Sequence, residues 1–223
     1  MAEQIGTVAS LWRYPVKSML GEQLDEAEIT SGGVVGDRAY ALVDTETGQV
    51  VSAKHPRKWG ALLTFRAEYV DPPVAGDELP PVRITFPDGT DVRSDGDGID
   101  GALSDAVGRT VELRSAAPAA KSFEEVWPDI EGLAPQELID ATRVEGDAGE
   151  PGATISQLPL GLDAPAESFF DLARLHLLTS ATLARLGELY PEGTFDVRRY
   201  RPNVFVETHE SGFVENDLSL IHI

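Results

Sequence analysis

Apolar and polar residues alternate in several short runs within the first 115 residues, and this alternation predicts strands. Residues 82–86 and 111–114 follow the pattern strictly, so one face of each run is expected to be buried. Turn-forming clusters of Gly, Pro, Asp and Thr separate these runs. A short helix is predicted over residues 99–107, where three apolar side chains would share one face. The pattern therefore predicts a barrel or sandwich of strands.

The pattern changes after residue 115. Residues 116–165 are rich in Pro, Gly, Asp, Glu and Ala and show no regular periodicity, which predicts a long connection of functional or mobile character. A short strand is predicted at 175–178. Thr179 and Ser180 are suitable N-cap residues for the helix that follows, which has leucines at every third position. Another strand is predicted at 204–206.

The predicted fold class is α+β and predominantly β, with a few short helices. We divide the chain into a β-barrel-like N-terminal domain at 1–115, a variable linker at 116–165, and a second, partial barrel at 166–217. The final residues, 218–223, form a separate apolar tail.

Composition limits the classes of function. The formal net charge of −20 disfavours nucleic acids and acidic lipid surfaces as partners. No run reaches the roughly 20 apolar residues of a membrane span, and the N-terminus lacks a signal-peptide pattern, so we expect a cytoplasmic protein. With no cysteine, these residues contain neither a thiolate metal site nor a thiol nucleophile. In so acidic a chain, a local cluster of cations needs an explanation.

Arginines are densest at residues 198–203. Arg198, Arg199 and Arg201 could present planar guanidinium groups to a phosphate or another oxyanion, and Asn203 adds an amide donor. Salt bridges to surface carboxylates would explain the same cluster equally well. The segment alone therefore leaves anion binding and surface ion pairing open.

Two other segments offer groups that suit an anion. Lys17 and Ser18 follow a predicted strand and supply an ammonium group and a hydroxyl. Arg38 follows the glycine-rich turn at 32–36, whose glycines permit close approach to the backbone. Taken singly, each segment is more typical of a solvated turn, and the glycine spacing matches no nucleotide-binding fingerprint. His176, in an apolar run, is expected to be a core residue rather than a metal ligand.

Taken together, these segments resemble the MOSC family, which is named after the C-terminal domain of molybdenum cofactor sulfurases. LWRYPVKS at 11–18 and GVVGDRAYALVD at 33–44 are similar to the N-terminal β-barrel domain that precedes MOSC domains. FFD at 169–171, HLLTSATL at 176–183 and RYRPN at 199–203 are similar to the opening of the MOSC domain itself.

The resemblance runs from residue 5 to about residue 217, is weak over the linker, and implies a molybdenum cofactor, whose anionic molybdopterin lies between two domains. Relatives include amidoxime-reducing components and bacterial enzymes that reduce N-hydroxylated compounds. The implied activity is therefore an oxidoreductase that acts on a small-molecule N–O substrate at molybdenum, with electrons from a separate donor protein. Carried over by motif, the cofactor-binding residues would be Lys17, Ser18, Arg38, Thr179, Ser180, Arg201 and Asn203.

The end of the chain departs from the family pattern. Relatives continue to a cysteine whose soft thiolate ligates molybdenum, whereas this sequence contains no cysteine. We therefore expect a MOSC domain truncated after residue 217, a non-native tail at 218–223, and a fragment that is inactive in the family's chemistry. No residue of this chain is assigned as catalytic or as a metal ligand.

Two alternatives remain open from the residues alone. One is a non-catalytic carrier of the molybdenum cofactor, and the other is an unrelated anion-binding β-barrel protein. The family is also loosely associated with pyridoxal phosphate through its link to sulfurases. That association carries little weight because no lysine occurs in an aldimine-like context.

Overall fold

The computed structural model describes residues 4–118, 121–128, 130–133, 135–144, 153–161 and 168–218. The strands are β1 (Gly6–Arg13), β2 (Glu22–Leu24), β3 (Ile29–Thr30), β4 (Gly33–Val34), β5 (Ala41–Asp44), β6 (Arg66–Tyr69), β7 (Val82–Thr85), β8 (Asp91–Arg93), β9 (Val111–Arg114), β10 (Ser122–Pro128), β11 (Ala153–Pro159), β12 (Leu177–Thr179) and β13 (Val204–Thr208). The helices are α1 (Pro56–Trp59), α2 (Ile99–Val107), α3 (Gln136–Thr142), α4 (Ser180–Leu189) and α5 (Val197–Tyr200), with 3₁₀ turns at Gly60–Thr64 and Val214–Asp217. The predicted α+β, predominantly β class is confirmed.

The largest sheet joins early and late parts of the chain. Its strand order is β12–β13–β1–β2. β1 runs antiparallel to β13, with Gly6 opposite Thr208 and Leu11 opposite Val204. β12 runs parallel to β13 on its other side. Because β1 leads into Lys17 and β13 follows Arg201, this pairing brings the two cationic segments to the same end of the sheet.

The N-terminal core is built as the alternation predicted. Val82 and Ile84 on β7 are fully buried, whereas Arg83 between them is partly exposed. β7 lies between β6 and β8, and β5 pairs with β9. Helix α2 has the predicted bounds, and its Leu103 is fully buried in the same core.

The interval 116–165 differs from the prediction of an irregular connection. β10 and β11 form an antiparallel pair with Ser122 opposite Pro159, and α3 lies between them in the chain. Local alternation misses β10 because Glu124 and Glu125 interrupt it. Their charges are compensated from outside the segment, by Lys58 and Lys54 respectively. Parts of the predicted linker, and residues 219–223 of the predicted tail, lie outside the described residues.

The segment after residue 175 follows the predicted order with shifted bounds. Strand β12 begins at Leu177 rather than at residue 175. Thr179 is the N-cap of α4, since its side chain accepts a hydrogen bond from the amide of Thr182 (3.2 Å). Ser180 is the first helical residue rather than the cap. Within the part of the chain that the structure describes, no helix is long and apolar enough to cross a membrane.

Two glycine substitutions should have opposite effects on stability. In Gly21→Ala the new Cβ would overlap the carbonyl oxygen of Arg13, so the free energy of unfolding should fall by about 1–3 kcal/mol. Gly101 lies inside α2 with open space around its Cα, so Gly101→Ala should raise the free energy of unfolding by about 0.5–1 kcal/mol. Urea unfolding measures both. Equal effects of the two substitutions would contradict the close approach at Gly21.

Candidate functional site

Three residues with left-handed backbone mark the loops of the candidate site. Ser18 (φ 66°), Arg38 (φ 46°) and Arg201 (φ 53°) are the non-glycine residues with positive φ among the described ranges. Such backbone is unfavourable for residues with a side chain, and it persists where surrounding contacts hold it. All three residues belong to the predicted cofactor-binding set.

The first two loops are tied together by buried hydrogen bonds. The amide of Tyr14 donates to Oδ1 of Asp37 (2.7 Å), and the amide of Arg38 donates to the carbonyl of Tyr14 (2.8 Å). The amide of Lys17 donates to the carbonyl of Tyr40 (2.8 Å). These bonds fix Lys17 and Arg38 relative to each other before any ligand is present.

The third loop joins them through Arg38. Its Nη2 donates to the carbonyl of Arg201 (3.1 Å), and its Nη1 donates to Oδ1 of Asn203 (3.4 Å) and pairs with Asp37. The hydroxyl of Tyr14 donates to the carbonyl of Pro202 (3.1 Å). The Arg38 guanidinium is therefore largely occupied in shaping the loop that carries Arg201.

Arg201 is half-buried, and two of its guanidinium nitrogens, Nε and Nη2, are shielded from solvent. Among the residues that the structure describes, neither nitrogen has a hydrogen-bond partner. Its guanidinium carbon lies 5.0 Å from the centre of the Tyr14 ring, and that of Arg38 lies 4.6 Å from the same ring. Burial, together with the positive charge of Arg38, lowers the pKa of Arg201 to about 10. Buried donors of this kind are costly unless a ligand pairs with them.

Lys17 supplies a second buried cation. Its Nζ donates to the carbonyl of Phe169 (3.2 Å) and pairs with Oδ1 of Asp171. The pKa of Lys17 is lowered to about 8: burial is the largest cause, Arg201 and Lys54 act in the same direction, and Asp171 opposes them. These mutual effects place Lys17, Arg201 and Asp171 in one electrostatic group.

Lys54 completes the cationic cluster. Its Nζ lies 3.7 Å from Oδ2 of Asp171 and 3.1 Å from Oε2 of Glu125. Lys17 and Lys54 also lie 5.3 Å and 5.1 Å from the centre of the Phe123 ring. We refer to Lys17, Lys54, Arg38 and Arg201 as the cation cluster.

Ser18 and Asn203 use their polar groups within the fold. The Ser18 hydroxyl accepts from the amide of Ala53 (3.0 Å). The Asn203 side chain accepts from the amide of His176 (3.1 Å) and donates to the carbonyl of Trp12 (3.3 Å). His176 is half-buried, and burial together with Arg38 lowers its pKa. These residues shape the loops around the cation cluster.

Thr179 and Ser180 make contacts of another kind. The amide of Thr179 donates to Oε1 of Glu215 (2.6 Å), whose other oxygen accepts from the hydroxyl of Thr182. The Ser180 hydroxyl accepts from the amide of Thr208 (3.0 Å). These contacts connect α4 to β13 and to the last 3₁₀ turn, and the acceptor at the N-terminus of α4 is the carboxylate of Glu215.

The three-arginine segment divides into exposed and buried parts. Arg198 pairs with Asp196 (2.7 Å), and Nη1 of Arg199 donates to the carbonyl of Thr194 (2.6 Å). Surface ion pairing, the alternative considered above, is therefore correct for Arg198. Arg201 instead lies in the candidate site.

Sequence reasoning missed Tyr14, Lys54 and Asp171 as members of the site. Tyr14 and Asp171 lie inside the motifs YPVKS and FFD, so their positions carried a signal that went unused. Lys54 had none, since its place depends on contacts with Glu125 and Asp171, far along the chain. Within the described ranges, no group of three or more His, Asp or Glu residues could hold a metal ion.

Comparison with known proteins gives one family and several curated relatives. Residues 5–119 match the family described as MOSC N-terminal beta barrel domain. The chain is 39% identical over 61 residues to mitochondrial amidoxime-reducing component 1 of Homo sapiens, covering 26% of this chain and 18% of that protein. It is 46% identical over 68 residues to mitochondrial amidoxime reducing component 2 of Macaca fascicularis, covering 28% and 20%. The matched stretches thus span about a fifth of the length of these relatives.

The buried Lys17 should make stability depend on pH above 8. In the unfolded chain the lysine keeps its proton to its ordinary pKa of 10.5, whereas in the folded protein it releases the proton near pH 8. Between these values the unfolded state binds more protons, so the free energy of unfolding should rise with pH, by at most about 1.4 kcal/mol per pH unit. Urea unfolding between pH 8 and 9.5 measures this slope. Lys17→Gln should remove it, and an unchanged slope in that variant would contradict the assignment.

Proposed function

The chain belongs to the family of the MOSC N-terminal beta barrel domain, and we propose that it holds the anionic pterin of a molybdenum cofactor in a protein that reduces small N-hydroxylated compounds. The observation that carries the binding proposal is the Arg201 guanidinium, whose buried Nε and Nη2 have no hydrogen-bond partner within the described part of the chain. The names of the amidoxime-reducing relatives support the substrate class.

The residues of the cation cluster suit a phosphate-bearing ligand. A guanidinium presents parallel donors that match the oxygens of a phosphate, and each charge-assisted contact contributes about 1.5–3 kcal/mol. Arg38, Lys17 and Lys54 each have a carboxylate partner within the fold, whereas two buried nitrogens of Arg201 have no partner among the described residues, and an anion would remove the cost of leaving them unpaired. An anionic cofactor is the ligand class that explains this arrangement.

Different residues of the site have different tasks under this proposal. Arg201 binds the anion. Arg38 donates a hydrogen bond to the carbonyl of Arg201 and so fixes the backbone of the loop that carries it. The buried ring of Tyr14 packs against both guanidinium groups and helps to hold their positions. Lys17 adds a second positive charge, which is shielded from water because the side chain is buried.

Four of the predicted residues receive supporting tasks. Ser18 and Asn203 hold the loops, and Thr179 and Ser180 begin α4, because their polar groups are used within the fold. The proposed direct contacts are therefore Arg201 and Lys17, with Arg38 as their positioning residue.

The molybdenum cofactor, when bound, supplies two-electron chemistry, and the protein's share is binding, orientation and electrostatics. The proposal assigns no side chain of this chain as general acid or base. Electrons come from a separate donor protein, and an N-hydroxylated amidine is the first substrate class to test.

Replacing Arg201 should weaken anion binding. Arg201→Gln should reduce sulfate affinity about 10- to 100-fold, since it removes a charged pair of donors, and it should reduce retention of molybdopterin on gel filtration. The matched control is Arg198→Gln, which removes an exposed arginine of the same segment and should change affinity by less than about twofold. Isothermal titration measures sulfate affinity. Equal losses in the two variants, or no loss in Arg201→Gln, would exclude Arg201 as the anion-binding group.

The same side chain should lower the stability of the ligand-free protein. Arg201→Met removes a buried charge with unpaired donors, so the free energy of unfolding without ligand should rise by about 1–2 kcal/mol. Urea unfolding in a buffer without polyvalent anions measures the change. A loss of stability would show that Arg201 is a structural cation already satisfied by the fold.

A further inference from the structure

Asp171 forms ion pairs with both lysines of the cation cluster. Its Oδ1 pairs with Nζ of Lys17, and its Oδ2 lies 3.7 Å from Nζ of Lys54. About 34% of the Asp171 side chain is exposed, compared with 5% of the Lys17 side chain. The carboxylate therefore lies between a buried cation and the solvent.

The charge state of this carboxylate follows from its neighbours. Burial raises the pKa of Asp171, but Lys17, Lys54 and Arg201 together hold it below the ordinary value. Asp171 is thus ionised at neutral pH, and it carries the negative charge that an anionic ligand would otherwise bring to these lysines.

The segment that carries Asp171 is anchored through the backbone of Phe169. The amide of Phe169 donates to the carbonyl of Arg38 (3.2 Å), and the carbonyl of Phe169 accepts from Lys17. The Phe169 side chain is fully buried, whereas Asp171 two residues later is partly exposed. The Asp171 side chain can therefore rotate away from Lys17 without moving the anchor at Phe169.

We propose that Asp171 is an internal counter-anion, which occupies Lys17 and Lys54 in the ligand-free protein and is displaced when a dianionic oxyanion binds. This inference rests on the proposed function, because it concerns the same cation cluster. It makes Asp171 a residue that determines specificity. A monoanion would only replace one negative charge by another, whereas a dianion regains the lost ion pair and reaches Arg201 as well.

Removal of the carboxylate charge tests the inference with sulfate as the probe. Asp171→Asn should bind sulfate about tenfold more tightly than the unaltered chain at pH 7 and constant ionic strength, because the competing charge is gone. Asp95→Asn is the matched control, since Asp95 is an exposed carboxylate paired with Arg93, and it should change sulfate affinity by less than about twofold. Unchanged or weaker binding by Asp171→Asn would overturn the inference.

A second measurement does not depend on the folding of that variant. The side-chain carboxyl carbon of Asp171 can be observed by NMR in the unaltered chain with ¹³C-labelled aspartate, and assigned by the loss of its signal in Asp171→Glu. Displacement predicts that this signal shifts along the same isotherm as sulfate binding. A signal that does not move at saturating sulfate would show that Asp171 stays on the lysines, and the inference would fail.

Arg201→Gln separates this inference from the proposed function. If that variant loses sulfate binding while Asp171→Asn binds like the unaltered chain, the anion site stands and the counter-anion inference is wrong. If neither the unaltered chain nor Asp171→Asn binds sulfate, the anion site and the counter-anion inference are both wrong.

Discussion

The packing of two guanidinium groups against one buried tyrosine is the contact on which the site depends. Arg38 and Arg201 lie 163 positions apart in sequence, yet both guanidinium groups form cation–π contacts with the Tyr14 ring. Two like charges come together only where other contacts compensate for their repulsion, and here Asp37 and the carbonyl of Arg201 accept from Arg38. The pairing of β1 with β13 brings together the loops that carry these residues.

Left-handed backbone and buried polar groups occur in the same loops. Ser18, Arg38 and Arg201 have left-handed backbone, and the loops around them contain fully buried polar groups such as Asn203. Each such feature lowers stability, and proteins keep them where geometry matters for binding. Arg38 has its donors used by the fold, whereas Arg201 keeps two unused. That difference distinguishes the positioning arginine from the one proposed to bind the ligand.

Sequence reasoning reached the parts of the molecule that short-range pattern controls. The alternation on β7 and the apolar face of α2 are local, and both were predicted with nearly the observed bounds. Three cations of the cluster were also found, because they lie in short motifs at turns. Pairings between residues far apart in sequence could not be predicted. Strand β10 was missed because nothing in the sequence shows that Lys54 neutralises Glu125. The structural role of Thr179 was missed because its partner, Glu215, lies 36 residues away. Asp171 was visible in a motif, but its partner Lys17 lies 154 positions away.

The strongly negative net charge of the chain explains why a carboxylate, Asp171, is useful within the cation cluster. With a net charge of −20, the field outside the protein repels anions, but mobile ions screen that field beyond about 8–10 Å. A bound anion must therefore be attracted over short distances, by cations whose nitrogens are shielded from solvent, such as Lys17 and Arg201. Without a counter-charge these cations would repel each other in a region of low dielectric constant. Asp171 reduces that repulsion in the ligand-free protein, and it does so at the exposed edge of the cluster, where a more highly charged anion can replace it.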